Sequence, residues 1–237
     1  MGELSAKPPA AIVFDLYGTL LAIDAMRGHA ERVGIGDAPS FVDAWRRKQL
    51  EYTFLVTIAG AYEDFDALTA RALDHVCTAR RVVLHAAMRR ALCEAWTTMA
   101  AYPDVAPALR VLSGRRIPLA VLTNGTPRSA DRALEEAGVR ELLDEVLSVE
   151  AVRAFKPDPR AYALATQRFG CVPGDVLFVS SNPFDVWGGG RFGFQVAWCN
   201  RSGGVAETVD PPPAFTIAGL DELPALVADG RQEGTLR

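Results

Sequence analysis

Short apolar runs, each too brief for a helix and each ending in polar residues or glycine, recur along this chain. They occupy residues 11–14, 119–122, 176–179 and 195–198, with a weaker one at 146–149. Between most of them the apolar residues switch to three- and four-residue spacing, at 106–115, 128–137 and 159–169. Strands buried on both faces read as continuous apolar runs, and the helices between them cover those faces. The alternation predicts an α/β fold built on a parallel sheet with helices on both sides.

One interval breaks the alternation. No convincing strand lies between Leu20 and about Ala100. Phe41, Trp45, Phe54, Leu55 and Ile58 share one helical pattern, Phe65, Leu68, Ala72 and Val76 a second, and Leu84, Met88, Leu92, Trp96 and Met99 a third. Asp64 stands where an N-cap of the second helix belongs. Residues 22–99 therefore read as a helical cap subdomain inserted into a Rossmann-like core formed by residues 1–21 and 100–237. Pro211-Pro212-Pro213 marks a stiff loop before a last short strand at Phe215–Ile217. The polar tail after Asp229 is expected to fray.

Composition narrows the function classes. The chain has 237 residues, 49% hydrophobic and 23% charged, with a net charge of −4, so no basic surplus recommends nucleic acid or an anionic membrane as partner. No apolar run approaches the roughly 20 residues of a membrane helix, and the first residues carry no apolar signal core. A cytoplasmic protein is expected. Cys77, Cys93, Cys171 and Cys199 are scattered and read as reduced, mostly buried small hydrophobes. His29, His75 and His85 form no metal-binding or catalytic motif.

Chemistry gathers at the strand ends, where open parallel sheets bind ligands. The first strand ends in Asp15, within Ala11-Ile12-Val13-Phe14-Asp15-Leu16-Tyr17-Gly18-Thr19-Leu20. The next delivers Thr123, Asn124 and Gly125. Phe155-Lys156-Pro157-Asp158 follows the weak strand, and Ser180-Ser181-Asn182 ends the next, with Asp185 three residues on. Asp15 also suits a helix N-cap, Lys156 an exposed loop, Tyr162 a core position and Asp185 a cap; the four strand ends together favour catalysis. Gly188-Gly189-Gly190 lacks the Lys-Ser/Thr of a phosphate cradle and reads as close helix packing.

These motifs resemble the haloacid dehalogenase superfamily. Within it, Phe14-Asp15-Leu16-Tyr17-Gly18-Thr19-Leu20 and Trp45-Arg46-Arg47-Lys48-Gln49-Leu50-Glu51-Tyr52 are similar to the L-2-haloacid dehalogenases, as are Leu122-Thr123-Asn124-Gly125, Lys156-Pro157-Asp158 and Val179-Ser180-Ser181-Asn182 with Asp185. The resemblance implies that Asp15 displaces halide from C2 of a short 2-haloacid, inverting the carbon. Water then cleaves the Asp15 ester to release the 2-hydroxy acid. It implies catalytic roles for Asp15, Thr19, Arg46, Thr123, Asn124, Lys156, Tyr162, Ser180, Asn182 and Asp185. Substrate contacts are implied for Leu16, Tyr17, Arg46, Leu50, Phe65, Thr123, Asn124, Ser180 and Phe184. Arg46 is open to two readings, as halide holder or as partner of the substrate carboxylate. The partners implied are a 2-haloacid and a halide ion, with homodimer formation and the second cap helix as a candidate interface.

The residues add a physical reason. Phosphate-transferring relatives place a second aspartate at position 17 as general acid; a halide leaves without a proton, so Tyr17 suffices. The Ser180-Ser181-Asn182 strand end is poor in carboxylates for magnesium, and Lys156 can offset charge instead, so no metal and no organic cofactor are expected. Two stretches depart from the dehalogenase pattern. Thr123 replaces a serine, and Pro183-Phe184 replaces Ala-Trp or Gly-Phe, which bears on pocket size and on whether fluoroacetate is accepted. A magnesium-dependent phosphatase of the same superfamily and a catalytically silent binding module are the alternatives.

Overall fold

The structure is a computed structural model that describes residues 8–227. The N-terminal residues read above for targeting signals, and the tail after Asp229, lie outside the described residues.

Six parallel strands form one sheet in the order β3-β2-β1-β4-β5-β6. They are β1 (Ala11–Phe14), β2 (Leu119–Thr123), β3 (Glu145–Ser148), β4 (Val176–Ser180), β5 (Gln195–Cys199) and β6 (Phe215–Ile217). The α/β class is the one the apolar alternation predicts. Every residue of β1, β2 and β4 is buried, as continuous apolar runs require. The pleat sorts them: Ile12, Phe14, Val121, Leu177 and Val179 face one core, while Ala11, Val13, Leu122, Val176 and Phe178 face the other.

Edge strand β3 begins one residue before the expected run, and Val149 belongs to the turn that follows. Its first three residues are only half-buried, which is why its apolar signal is weak.

Helices α1 (Ala25–Arg32), α2 (Ala38–Ile58), α3 (Phe65–Arg80) and α4 (Ala86–Ala95) all lie between β1 and β2. The ends of this segment meet: Ala22 N–H donates to Ala100 O at 2.9 Å and Tyr102 N–H to Leu20 O at 3.0 Å. Helix α1 escaped the sequence reading because it buries only Met26 and Ala30. Asp64 caps α3, accepting from Ala67 N–H at 2.8 Å, a bond worth about 1 kcal/mol.

The apolar stripes hold in part. Phe41, Trp45, Gln49 and Thr53 recur every four residues on the buried face of α2. Leu55 and Ile58, assigned to that stripe from their spacing, are instead 52% and 84% exposed, because the buried face of α2 ends at Thr53. Phe65, Leu68, Ala72 and Val76, the stripe of the second pattern, are buried within the monomer. Trp96 and Met99 are buried past the end of α4.

The core continues with α5 (Val105–Ser113), α6 (Pro127–Glu136), α7 (Pro159–Phe169), α8 (Pro183–Phe192) and the short α9 (Leu223–Leu226). The glycine triplet lies in α8, where it lets the helix approach its neighbours. A Cβ on Gly188 would stand 2.4 Å from the Tyr162 hydroxyl and 2.6 Å from Pro157 Cβ; one on Gly189 would stand 2.8 Å from the Phe178 ring. We predict that Gly188→Ala lowers stability by about 1–3 kcal/mol, the usual cost of overpacking. Thermal unfolding checks it, and an unchanged midpoint would count against close packing as the reason for glycine.

Candidate active site

The strand order reverses at β1, with β2 on one side and β4 on the other, so the connections leave the sheet in opposite directions and open a crevice at the carboxyl ends. Asp15 is the first residue beyond β1, its N–H still bonded to Val179 O at 2.9 Å. Gly18, at φ 89°, turns the chain back so that the Thr19 hydroxyl donates to Asp15 Oδ2 at 2.9 Å. Beyond β4, Asn182 N-caps α8 in the extended conformation that the following proline favours. Its side-chain amide donates to Asp15 Oδ2 at 2.7 Å and to Tyr17 O at 3.0 Å.

Lys156 closes the arrangement. It is 1% exposed, and its ammonium donates to Asp15 Oδ1 at 2.7 Å, Asp185 Oδ2 at 2.7 Å and Leu122 O at 2.8 Å. An ammonium has three donors, and all three are used. Burial alone would push the Lys156 amine down, but Asp15 and Asp185 outweigh it and hold its pKa above the usual lysine value. The lysine is therefore a buried counter-ion and not a loop lysine. Its backbone N–H donates to Asn124 Oδ1 at 3.0 Å, which leaves the Asn124 NH₂ as that side chain's donor.

Asp185 is fully buried in the first turn of α8. Its Oδ1 accepts from the Tyr162 hydroxyl at 2.8 Å, and its Oδ2 accepts from Lys156 and, at 3.2 Å, from Ser180. Burial pushes its carboxyl up to about 6, opposed by the Lys156 charge and reinforced by Asp15. Tyr162 stands behind Asp185, ringed by Phe178, Phe192 and Phe194, and burial raises its phenol well above 10. It reaches Asp15 only through Asp185, so its place is that of a positioning residue.

The hydroxyls are largely spoken for. Ser180 accepts from Asn182 N–H at 3.1 Å while donating to Asp185, and Thr123 Oγ1 accepts from Gly125 N–H at 3.0 Å. Leu16 is buried in the core, so any binding role rests on its backbone.

Above Asp15, Tyr17 stacks on Phe65 with ring centroids 5.8 Å apart and meets the edge of Trp96 at 5.7 Å. Burial raises the Tyr17 phenol beyond its ordinary value, so it stays protonated at neutral pH. Phe184 packs on Phe54 at 5.4 Å, and half-buried Leu50 lies one turn earlier on α2. Arg46 extends from α2 with its guanidinium 5.7 Å from the centre of the Trp96 ring. Burial draws its pKa down to about 10, against the pull of Asp15 and Tyr17. Among the described residues no carboxylate pairs with it directly. A cavity of about 250 Å³ opens between α3, α4 and the start of α6, with Tyr17, Phe65, Thr69 and Trp96 among its walls.

Sequence reading missed four contributors. Gln49, bonded to Arg46, and Thr69, bonded to Gln49, are buried polar residues, and Asp66 accepts from the Thr126 and Ser129 hydroxyls at 3.0 and 2.6 Å, tying α3 to the start of α6. Arg201, after β5, donates to Thr19 O at 3.1 Å and to Asp104 at 2.7 Å. Gln49 was detectable as a polar member, with Thr53, of the 41-45-49-53 stripe; Arg201 and Asp66 carried no local signal.

A buried carboxylate at the switch point of a parallel sheet, compensated by an ammonium and polarised by an amide and a hydroxyl, is the site of an α/β-class enzyme that works through an aspartate. Residues 9–193 match the family described as haloacid dehalogenase-like hydrolase. A (S)-2-haloacid dehalogenase of Pseudomonas sp. (strain YL) is 39% identical over 209 residues, covering 88% of this chain and 90% of that protein. Haloacetate dehalogenase H-2 of Moraxella sp. (strain B) is 36% identical, covering 94% and 99%. The structure of the L-2-haloacid dehalogenase from Xanthobacter autotrophicus with chloropropionic acid covalently bound superposes with a TM-score of 0.86 at 33% identity, covering 92% of this chain and 98% of that one. The chain belongs to the haloacid dehalogenase-like hydrolase family.

Lys156→Met leaves two buried carboxylates facing each other without a counter-ion, which we predict to cost about 3–5 kcal/mol of stability. Sharing a proton raises the folded-state carboxylate pKa above the unfolded value of about 3.9. The variant is then most stable at acid pH and loses stability as pH rises through the raised value. Unfolding midpoints measured from pH 4 to 8 test this; a variant as stable as the parent at pH 8 would contradict it.

Proposed function

We propose that this chain is a hydrolytic (S)-2-haloacid dehalogenase acting on short 2-haloalkanoic acids. One observation carries the reading: Lys156 spends its three donors on Asp15, Asp185 and Leu122, so the charge opposite the nucleophile is an ammonium of the chain itself. A magnesium ion fits this donor set poorly. The two carboxylates that would hold it are already bridged by Lys156, and the other polar groups at hand are the hydroxyls of Thr19 and Ser180 and the amide of Asn182. Metal-independent turnover is therefore part of the proposal, and residues 22–99 are proposed as the cap that closes over the site.

The chemistry follows from the two oxygens of Asp15. Oδ2 accepts two hydrogen bonds, from Thr19 and Asn182, while Oδ1 accepts one, from Lys156. Oδ1 is thus the freer nucleophile. It attacks C2 from the side opposite the halogen, the carbon–halogen bond breaks with its electron pair leaving as halide, and C2 is inverted. The halide needs no proton. Positive charge near it is needed, and Arg46, with Asn124 as a further donor, supplies it.

Water then attacks the Asp15 carbonyl carbon. Charge develops on Oδ2, where Thr19 and Asn182 already donate, a preformed oxyanion site. Asp185 accepts one water proton and returns it to the C2 oxygen as the acyl bond breaks, giving the 2-hydroxy acid; the regenerated Asp15 acid releases its proton to solvent. Asp185 is enclosed while Asp15 is charged. Esterification removes that charge and weakens the hold of Lys156 on Asp15, so that Asp185 can accept from the attacking water.

Homodimeric assembly and a cytoplasmic location complete the proposal. Exposed Leu55 and Ile58 at the end of α2 are the apolar residues a second subunit would cover, and the four cysteines form no disulfide among the described residues.

Three outcomes are expected. Chloride release from L-2-chloropropionate persists in EDTA and is lost in Asp15→Asn; turnover of p-nitrophenyl phosphate that depends on magnesium would instead establish the phosphatase. Asp185→Asn lowers kcat by about 10²–10⁴-fold, the range of general acid–base contributions, and accumulates the Asp15 ester by intact-mass measurement. Because Asp185 must be ionised, kcat falls with acid on a limb lying above the ordinary aspartate range; a limb at or below about pH 4 would remove Asp185 as the base.

A further inference from the structure

The guanidinium of Arg46 donates through Nη1 to Gln49 Oε1 at 2.7 Å. Gln49 is fully buried on α2, and its Nε2 donates to Thr69 Oγ1 of α3 at 2.6 Å. Thr69, 4% exposed, donates its hydroxyl proton to Phe65 O at 2.7 Å. The backbone of Thr69 is held as well, since Trp45 Nε1–H donates to its carbonyl at 2.9 Å.

These bonds have a fixed direction. A hydroxyl has one proton, and that of Thr69 is given to Phe65 O. Thr69 Oγ1 is then an acceptor toward Gln49, which obliges Gln49 to turn its NH₂ that way and its carbonyl oxygen toward Arg46. The orientation of the amide follows from the network itself. Position 49 must present an acceptor on one side and a donor on the other, and a carboxamide supplies both without a charge. A glutamate could not donate to Thr69 and would neutralise Arg46. A methionine would fill the space and leave both neighbours unpaired.

We propose that Gln49, oriented by Thr69, is the positioning residue that aims Arg46 into the site while leaving its positive charge unspent. This rests on the dehalogenase reading, in which Arg46 meets anionic substrate or halide. About four rotatable bonds separate the Arg46 guanidinium from α2; a single fixed acceptor removes much of that freedom before substrate arrives. Neutral Gln49 differs here from the usual surface partner of an arginine, a carboxylate, which would compete with the substrate for the same charge.

The test compares Gln49→Met, Gln49→Glu, Thr69→Val, Thr69→Ser and Arg46→Ala in the full chain, with kcat and KM for L-2-chloropropionate, inhibition by chloride and bromide, and thermal midpoints. Gln49→Met and Thr69→Val should lose about 10–100-fold in kcat/KM, the scale of a misplaced catalytic group. Gln49→Glu should raise KM and weaken halide inhibition by about 10-fold or more, since the glutamate competes for the guanidinium. Thr69→Ser keeps the hydroxyl and should restore activity to near the parent level, which a purely steric role for Thr69 would not produce. Parent-like kinetics and halide inhibition in Gln49→Met and Thr69→Val, alongside a damaged Arg46→Ala, would overturn the positioning role alone. Losses that track the fall in midpoint and are not rescued in Thr69→Ser would assign the pair to folding and also overturn it. Full activity in Arg46→Ala would sink the reading of Arg46 and this role with it.

Discussion

The contact between Lys156 and the carboxylates of Asp15 and Asp185, each at 2.7 Å, is the interaction on which the rest of the site depends. Two carboxylates cannot both ionise at close range in a buried setting unless a cation stands between them. The ammonium supplies that cation, and Leu122 O takes its last donor, so no part of its desolvation goes uncompensated. Three strand ends must meet for this to happen: β1 brings Asp15, the segment after β3 brings Lys156, and α8 after β4 brings Asp185. Adjacent pairing of β1 with both β2 and β4 makes that convergence possible.

A second set of groups comes from outside the sheet. Arg46, Gln49, Phe65 and Thr69 belong to helices inserted between β1 and β2, and they approach the site through Trp96 and Tyr17. Core and inserted helices therefore divide the work. The sheet holds the nucleophile and its charge balance on rigid strand ends, whereas the helices supply apolar rings and Arg46, which has no direct carboxylate partner among the described residues. Asp66, which accepts from two hydroxyls at the start of α6, ties the two parts together beside Tyr17.

Different elements were legible to different degrees. The buried strands β1, β2 and β4 stood out because burial on both faces leaves no polar interruption, and α7 and β6 were bounded residue for residue. Strand β3 was shifted because an edge strand shows solvent much of its surface, and α1 was unseen because it buries two residues of eight. Leu55 and Ile58 misled, since periodicity reports which residues share a face and not how far the neighbouring helix extends. In the site, Asp15, Lys156, Ser180, Asn182 and Asp185 were nominated from their places at strand ends, and the structure gathers them. Gln49 went unnominated because a polar residue in an apolar stripe reads as an interruption until its partners are known.

Sequence alone determined the α/β class, the absence of an acid at position 17 and the set of polar residues at the strand ends, because these depend on local periodicity and on residue identity. Tertiary structure alone decided how those residues divide the work. It showed that Tyr162 lies behind Asp185, that Oδ1 of Asp15 accepts fewer hydrogen bonds than Oδ2, and that Arg46 donates to a neutral amide. Hydrogen-bond direction and charge compensation are properties of pairs from distant parts of the chain, such as residues 15 and 156 or 49 and 69, and only folding sets the distance between them.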